Sequence, residues 1–251
     1  MKRFLWFILP IAVLIALWEF ISRSHFINPA LFPPPSQIAL ALLEMITSGT
    51  LFSDSRDSLW RLIAGVFLGS AVGVVCGLLT GRMKSFATAL TPIIQILRPL
   101  PPVAIIPLVI VGFGIDDGAK IFSIAFAVFF PVWINAHIGA RQVPRAFLWG
   151  AKLFTNSPVK ILREVVFPAT LPFIVAGVRI GIAIGFVMVF VSELSGASSG
   201  LGYRISITSL AYRIDQMIAA LFVLGMFGAI ADQLFVFGTR KLFPWMIFSS
   251  R

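Results

Sequence analysis

The stretch LIAGVFLGSAVGVVCGLLT, residues 62–80, decides the fold because its nineteen residues include no charged side chain. About 20 predominantly apolar residues, each rising 1.5 Å along an α-helix, cross the hydrocarbon core of a bilayer. A segment this long and this apolar therefore predicts a membrane-spanning helix, and we interpret Leu62–Thr80 in that way.

The rest of the chain has the same character. Of its 251 residues, 59% are hydrophobic and 12% are charged, whereas soluble domains have about 45–50% apolar and about 25% charged residues. Six segments are apolar enough to predict spans: Phe4–Ile21, Leu62–Thr80, Pro99–Ile115, Ile121–Ala140, Leu171–Ser192 and Met217–Phe237. Their lengths favour helices over the strands of about 10 residues that form membrane barrels. We expect an all-α membrane protein of about six transmembrane helices, with residues 1–251 forming a single transmembrane domain.

The net charge of +10 is distributed in a way that indicates orientation. With a cytoplasmic N-terminus and alternating spans, 12 of the 20 Lys and Arg residues lie inside and 5 lie outside. Positive residues concentrate on the cytoplasmic side of membrane proteins. We therefore expect a multi-pass protein with both termini in the cytoplasm, lipid beside its basic residues, and no nucleic-acid partner.

Glycines recur at intervals of four residues in two of the predicted spans. The two series are Gly65, Gly69, Gly73 and Gly77, and Gly177, Gly181 and Gly185. This spacing places each series on one helix face, where the absence of side chains lets another helix approach closely. We expect both series to be helix-packing surfaces.

A few polar residues are expected at membrane depth. Ionisable groups there are costly and usually face the interior of a helix bundle or an aqueous cavity. The residues that we consider candidates for lining a pathway are Gln95, Arg98, Arg179, Ser192 and Glu193. Arg98 precedes the proline-rich residues 99–102, which predict a break in the helix. For the arginines, structural pairing and direct contact with a solute both remain open.

The segment from Arg141 to Ala169, between the fourth and fifth spans, contains five basic residues among exposed apolar ones. Its pattern predicts two short amphipathic helices on the cytoplasmic side. Apolar groups surrounded by charge indicate a surface for a protein partner, although a helix lying flat on lipid is the alternative. The candidate docking residues are Trp149, Ala151, Lys152, Phe154, Thr155, Ser157 and Pro158.

Residues for catalysis or cofactor binding do not cluster in the sequence. The chain has two histidines and one cysteine, Cys76, and it contains no metal-binding or phosphate-binding motif. We expect no catalytic, metal or cofactor site in this chain. A transporter driven by an ion gradient is an alternative function, although the inverted repeats typical of that class are not evident. An intramembrane enzyme is disfavoured because a nucleophile and its base are lacking.

Several short stretches carry a family resemblance. They are residues 31–35 (LFPPP), 95–104 (QILRPLPPVA), 112–122 (GFGIDDGAKIF), 130–135 (FPVWIN), 167–172 (FPATLP), 177–181 (GVRIG) and 199–203 (SGLGY). Together they resemble the inner-membrane permease subunits of bacterial ABC importers, and more narrowly the sulfonate, nitrate and taurine branch of the binding-protein-dependent family. The cytoplasmic segment resembles the coupling loop of these permeases, with the family's glutamate replaced by Trp149 and its glycine by Thr155, while Ala151 is kept.

The resemblance implies a type I importer permease in the bacterial inner membrane. Two copies, expected to be a homodimer, would form one pathway, and two cytoplasmic ATP-binding subunits would bind ATP and Mg. A periplasmic binding protein would deliver a small oxyanion such as a sulfonate, taurine, nitrate or bicarbonate. In place of the family's glutamate contact, we expect Trp149 and Phe154 to dock the ATPase.

Overall fold

The computed structural model describes residues 2–24, 28 and 30–245, with side chains from residue 9 onward. Within these residues the chain forms eleven α-helices and no strand. The helices are α1 (Lys2–Arg23), α2 (Pro35–Thr47), α3 (Thr50–Arg82), α4 (Lys84–Leu97), α5 (Ile106–Phe113), α6 (Asp117–Gln142), α7 (Arg145–Phe154), α8 (Pro158–Ile161), α9 (Phe167–Leu194), α10 (Leu201–Leu210) and α11 (Ile214–Leu242). A 3₁₀ turn, Pro102–Ile105, precedes α5, and a π-helical turn, Leu162–Val166, joins α8 to α9.

Four helices of the described residues are long and apolar enough to cross a membrane. They are α3, α6, α11 and the continuous helix Pro158–Leu194 that α8 and α9 form together. These helices contain the second, fourth, fifth and sixth expected spans. The helix α1 covers the first expected span, Phe4–Ile21, although the side chains of residues 2–8 lie outside the described part of the chain.

The third expected span, Pro99–Ile115, is wrong as a single helix. Its regular part, α5, has 8 residues and is about 12 Å long, which is too short to cross a bilayer. Only α4 and the segment Pro102–Phe113 together have the length of a span, and they meet at an angle of 89°. The prolines between them remove backbone donors and prevent the helix from continuing.

The centre of the molecule is α6, which packs between α3 and α9. The glycines of α3 lie against it, so that a Cβ added at Gly65 would come within 2.6 Å of Ile124 Cβ. On the other side, a Cβ at Gly181 would come within 2.9 Å of Val128 Cγ1. The interior of this three-helix layer contains Ile124, Val128, Val132, Met188 and Val189, all buried. Both glycine series therefore occupy surfaces of close helix contact.

The cytoplasmic segment differs from its prediction in one respect. Its first amphipathic helix is α7, but the second is not a separate helix, because Pro158–Ile161 continues through a π-helical turn into α9. Proline at a first helical position has a suitable backbone angle and lacks only an N–H that would be unpaired there. The fifth spanning helix consequently begins at Pro158 and has 37 residues.

A smaller layer, formed by α2, α10 and α11, covers the opposite end of the bundle. Ser36, in the first turn of α2, links this helix to α1, because its backbone N–H and hydroxyl donate to the Glu19 carboxylate at 3.0 and 2.8 Å. Arg213 Nη2 donates to Glu44 Oε2 at 2.9 Å and links α2 to the start of α11. This hydrogen bond lowers the pKa of Glu44 below its ordinary value.

Candidate functional site

A buried network of charges lies where α3 begins, α6 begins and α9 ends. Arg61 Nη1 donates to Glu193 Oε1 at 2.7 Å, and Arg61 Nε donates to Asp117 Oδ1 at 2.8 Å. The Arg61 side chain is 4% exposed and the Glu193 side chain is 0% exposed. Charges removed from water in this way persist only when they are paired and hydrogen-bonded. The pair therefore fixes the N-terminal part of α3 to the C-terminal end of α9.

The turn between α9 and α10 completes the bonding of this ion pair. Ser58 Oγ donates to the Glu193 carboxylate at 2.8 Å, and so does the backbone N–H of Gly202. Arg61 Nη1 also donates to the carbonyl oxygen of Ser199 at 2.7 Å. A side chain at Gly200, where φ is +115°, would collide with the Glu193 carboxylate. Glycine is required there both by the left-handed backbone and by the buried acid.

A second ion pair continues the network. Asp54 Oδ1 accepts from the backbone N–H of Gly200 at 3.0 Å, and Asp54 Oδ2 accepts from Arg204 Nε at 2.7 Å. The two pairs together join α3, α6, α9 and α10 at one end of the bundle, so we define Asp54, Ser58, Arg61, Glu193 and Arg204 as the buried charge network. Of these five residues the sequence identified Glu193 alone as a candidate. The position of Arg61 directly before the uncharged stretch 62–80 was the available signal for that residue.

Ser192 is buried beside the network. It lines a cavity of about 10 Å³ together with Lys120, whose Nζ donates to the carbonyl oxygen of Ile115 at 2.5 Å. That volume accommodates about one water molecule. Ser192 and Glu193 are therefore both buried at the end of the bundle that contains the network.

Arg179 forms a bidentate ion pair on the side of the bundle. Its Nε and Nη2 donate to the two carboxylate oxygens of Asp232, each at 2.7 Å, joining α9 to α11. The side chains are 54% and 35% exposed, although both helices are apolar enough to span a membrane. Because charge in contact with lipid is costly, we expect protein or water to cover this pair. The carboxylate also neutralises the arginine, which weakens its attraction for an anion.

Gln95 and Arg98 lie apart from the buried charge network and from the Arg179–Asp232 pair. With Thr91 they line one wall of a cavity of about 440 Å³ between α4 and α6, whose other wall includes Trp133, Ile134, His137, Ile138, Arg141 and Gln142. We call this cavity the α4–α6 cleft. The structure therefore divides the five pathway candidates among the buried charge network, the Arg179–Asp232 pair and this cleft.

The helix α7 presents an uncovered apolar surface. Trp149 is 64% exposed, Leu153 is 84% exposed and Phe154 is 91% exposed. None of the α7 residues is buried. Large apolar side chains grouped on a short helix and surrounded by basic residues mark an interaction site. We define Phe147, Trp149, Leu153 and Phe154 as the α7 surface.

The turn after α7 has a backbone that does not require glycine at Thr155. This residue has an extended backbone, with φ −157° and ψ 140°, which any residue can adopt. Its Oγ1 accepts from the Ser157 backbone N–H at 3.2 Å, and Ser157 Oγ accepts from the Lys160 N–H at 3.4 Å. Ser157 is therefore the N-cap of α8, with Pro158 at the first helical position.

The inner side of α7 borders a cavity of about 570 Å³ against the end of α3 and the beginning of the long helix. Ala151 accepts the Thr155 N–H that closes α7, while Lys152 borders this cavity with Arg82 and Arg145. Among the described residues, no group of three or more His, Cys, Asp or Glu side chains is placed to hold a metal ion.

The sequence comparison decides the family. Residues 69–244 match the family described as binding-protein-dependent transport system inner membrane component. The chain belongs to this family. It is thus a multi-pass inner-membrane transport permease, and the membrane class expected from its composition is confirmed.

Curated relatives cover nearly the whole permease. The putative aliphatic sulfonates transport permease protein SsuC of Bacillus subtilis is 34% identical over 97% of this chain and 89% of its own length. The taurine transport system permease protein TauC of Escherichia coli is 30% identical over 94% of this chain and 87% of its own. Both relatives are named as transport permeases, one for aliphatic sulfonates and one for taurine.

Solved structures share the fold. Two inward-facing structures of the MetNI methionine ABC transporter match with TM-scores of 0.62 and 0.58, at 20% and 22% identity. The first covers 78% of this chain and 95% of the MetNI chain. The expected type I importer permease fold is confirmed by this likeness.

Proposed function

We propose that this permease forms the translocation pathway of an ABC importer for a small oxyanion. In this proposal two copies of the chain pair as a homodimer, and each copy binds one cytoplasmic ATP-binding subunit, where ATP and Mg are bound and hydrolysed. A periplasmic binding protein delivers the solute, which is a sulfonate, taurine, nitrate or bicarbonate. The relatives named for aliphatic sulfonates and taurine, each matched over most of its length, support this solute class.

The observation that carries the proposal is the α7 surface. Its aromatic and aliphatic side chains are directed away from the rest of the chain, with Phe154 91% exposed. Burying such groups against a partner is favourable by about 25 cal/mol per Å². Basic residues beside the surface, such as Lys152, add electrostatic selectivity for an acidic rim. A cytoplasmic ATPase subunit is the partner that the family membership supports.

The connections of α7 provide a mechanical route from the ATPase to the pathway. Leu148 of α7 and Ile161 of α8 pack against buried residues at the inner ends of α3, α6 and the long helix, including Leu78 and Val166. The helix that begins at Pro158 has 37 residues, about 55 Å at 1.5 Å per residue, and it ends beside Glu193. A displacement of α7 would therefore move the beginning of a helix whose far end lies in the buried charge network.

Docking by α7 is tested by placing charge on its surface. We expect the double variant Trp149→Asp and Phe154→Asp to lose the ATPase subunit, because a carboxylate desolvated in an apolar interface is strongly unfavourable. The measurement is co-purification of the ATPase with a tagged permease, followed by assay of ATP hydrolysis by the complex.

Tyr212→Asp is the matched control. Tyr212 is 77% exposed, has a φ of +57° that aspartate tolerates, and lies at the other end of the bundle. It should leave the complex intact. Retention of the ATPase by the α7 double variant would overturn the docking assignment.

The energy source and the solute class are tested by uptake of labelled taurine or methanesulfonate into cells that contain the complete importer. Uptake should stop when cellular ATP is depleted and should persist when only the proton and sodium gradients are collapsed. The opposite pattern would favour the secondary transporter considered from the sequence.

A further inference from the structure

The α4–α6 cleft has the lining of a binding site. Thr91, Gln95 and Arg98 follow one another at intervals of four and three residues and so share one face of α4. His137 and Arg141 are spaced by four on α6 and line the same cavity. Two helices thus direct polar stripes towards a common space of about 440 Å³, within the usual range for small-molecule sites.

The charge of this cleft is positive and uncompensated. Among the described residues, Arg61, Arg179, Arg204 and Arg213 each form an ion pair with a carboxylate, whereas Arg98 and Arg141 form none. The cleft lining includes no Asp or Glu. Each of the two arginines lies at the C-terminal end of its helix, which carries about half a negative charge. This helix end favours a nearby cation by about 0.3–1 kcal/mol and does not remove its charge, so both guanidinium groups remain available to an anion.

The wall of the cleft is also held in position by hydrogen bonds. The Thr80 hydroxyl donates to the carbonyl oxygen of Cys76 at 2.7 Å, so its oxygen is free to accept from Trp133 Nε1 at 3.1 Å and from His137 Nδ1 at 2.9 Å. With the ring proton on Nδ1, the Nε2 atom of a neutral imidazole has only a lone pair, so His137 holds the wall in position and does not donate to an anion. On the α4 side, the buried Thr91 Oγ1 has no hydrogen-bond partner among the described residues, which is unusual for a buried hydroxyl.

We propose that the α4–α6 cleft binds a small oxyanion through Arg98 and Arg141, with Gln95 and Thr91 as further polar contacts. Guanidinium groups match the geometry of planar and tetrahedral oxyanions. The inference rests on the proposed function, because it assigns the bound anion as the transported solute. A lipid phosphate offers the same chemistry, so the test has to separate the two sources.

The test is protection of a cysteine in the cleft. Ile138 lines it without contributing a polar group, so Ile138→Cys is placed in a Cys76→Ala permease, and the importer complex is reconstituted in discs of phosphatidylcholine. The rate of labelling by neutral N-ethylmaleimide is then measured with taurine, methanesulfonate or nitrate, and with choline chloride as the ionic-strength control. Ile230→Cys on α11 is the matched reporter, since Ile230 is 45% exposed and Ile138 is 40% exposed.

We expect the oxyanions to slow labelling of Ile138→Cys and to leave Ile230→Cys unchanged. Arg98→Gln and Arg141→Gln should each raise the half-protecting concentration about tenfold, the change that about 1.4 kcal/mol produces. Arg98→Lys should retain part of the protection, and Arg240→Gln on α11 should retain all of it. Unchanged Ile230→Cys labelling shows that each variant is folded.

Two results would overturn the assignment. If Ile138→Cys is labelled at the same rate with and without each oxyanion, the cleft is not an anion site. The other result is that labelling slows in the absence of free oxyanion, and only when phosphatidylglycerol replaces phosphatidylcholine. In that case a lipid headgroup occupies the cleft, and the solute assignment is wrong.

Uptake assays distinguish failure of the cleft from failure of the proposed function. If the wild-type importer transports taurine and the Arg98→Gln, Arg141→Gln double variant transports it equally well, the cleft assignment fails and the proposed function stands. If the wild-type importer transports a solute that is not an oxyanion, the proposed function fails, and the protection assay still reports whether the cleft binds anions.

Discussion

Arg61 and Glu193 show how a membrane protein can retain full charges in its interior. Three donor groups, the Arg61 guanidinium, the Ser58 hydroxyl and the Gly202 backbone N–H, form hydrogen bonds to the Glu193 carboxylate and the Ser199 carbonyl oxygen. Desolvating two charges costs several kcal/mol, which their mutual attraction offsets only when the geometry is good and the remaining bonds are satisfied. Removing one partner is therefore more damaging than removing both.

This asymmetry gives a prediction at the residue scale. Arg61→Gln leaves the Glu193 carboxylate buried without its countercharge, and we expect it to lower the free energy of unfolding by about 3–5 kcal/mol. The combination of Arg61→Gln with Glu193→Gln should recover part of that loss, because the uncompensated charge is gone. Loss of the helical circular dichroism signal on heating in detergent measures both effects.

Arg213→Gln is the control for this prediction. Arg213 also pairs with carboxylates, but its side chain is 46% exposed, and exposed ion pairs contribute little to stability. It should change the unfolding temperature only slightly. If the Arg61→Gln, Glu193→Gln double variant is no more stable than Arg61→Gln alone, the loss of stability does not come from the Arg61–Glu193 contact.

At the scale of elements, the glycine spacing in α3 determines how closely α6 approaches. A Cβ at Gly77 would come within 2.5 Å of Ala136 Cβ and 2.8 Å of the Trp133 carbonyl oxygen. Neither neighbour is the flexible end of a long side chain, so the helices have to separate to admit a methyl group. The contact is a backbone-to-backbone approach of the kind that small residues permit in membranes.

We therefore expect Gly77→Ala to destabilise the permease by about 1–3 kcal/mol, the usual result of overpacking, despite the better helix propensity of alanine. The fraction of monodisperse protein that survives heating, measured by gel filtration, reports the change. Gly238→Ala in α11 is the matched control, because nothing lies within 4 Å of a Cβ there. Equal heat resistance of the two variants would contradict close α3–α6 packing at Gly77.

The sequence predicts individual elements better than it predicts their junctions. Apolar length identifies α3, α6 and α11, and residues 99–102 predict a break that the structure contains. The angle of 89° at that break depends on how α4 packs against α6. A local sequence pattern does not determine this packing. The continuation of Pro158–Ile161 into α9 is similar, since proline is equally suited to begin a short helix or a long one.

The candidate site is less predictable for the same reason. Glu193 and Arg179 are recognisable because charge is rare in apolar helices, but their partners, Arg61 and Asp232, are 132 and 53 residues away in the chain. The α4–α6 cleft likewise combines Arg98 with Arg141, which the sequence assigns to separate elements. Tertiary packing, and not spacing along the chain, creates these pairs.

At the scale of the whole molecule, the charges separate into two ends. One end contains the α7 surface and the basic residues Arg82, Arg145 and Lys152 around its cavity. The other contains the buried charge network and the carboxylates of Glu44 and Asp215. Because basic residues concentrate on the cytoplasmic side, we expect the α7 end to face the cytoplasm and the turn after α10 to face outward.

Single cysteines in a Cys76→Ala permease test this orientation. Ser209→Cys in the last turn of α10 and Asn156→Cys in the turn after α7 replace exposed polar residues at the two ends. In intact spheroplasts, a membrane-impermeant maleimide should label Ser209→Cys and should label Asn156→Cys only after permeabilisation. The cysteine-free permease controls for background labelling. Labelling of Asn156→Cys from outside would place α7 on the wrong side of the membrane for a cytoplasmic ATPase, and would overturn the orientation and the docking assignment together.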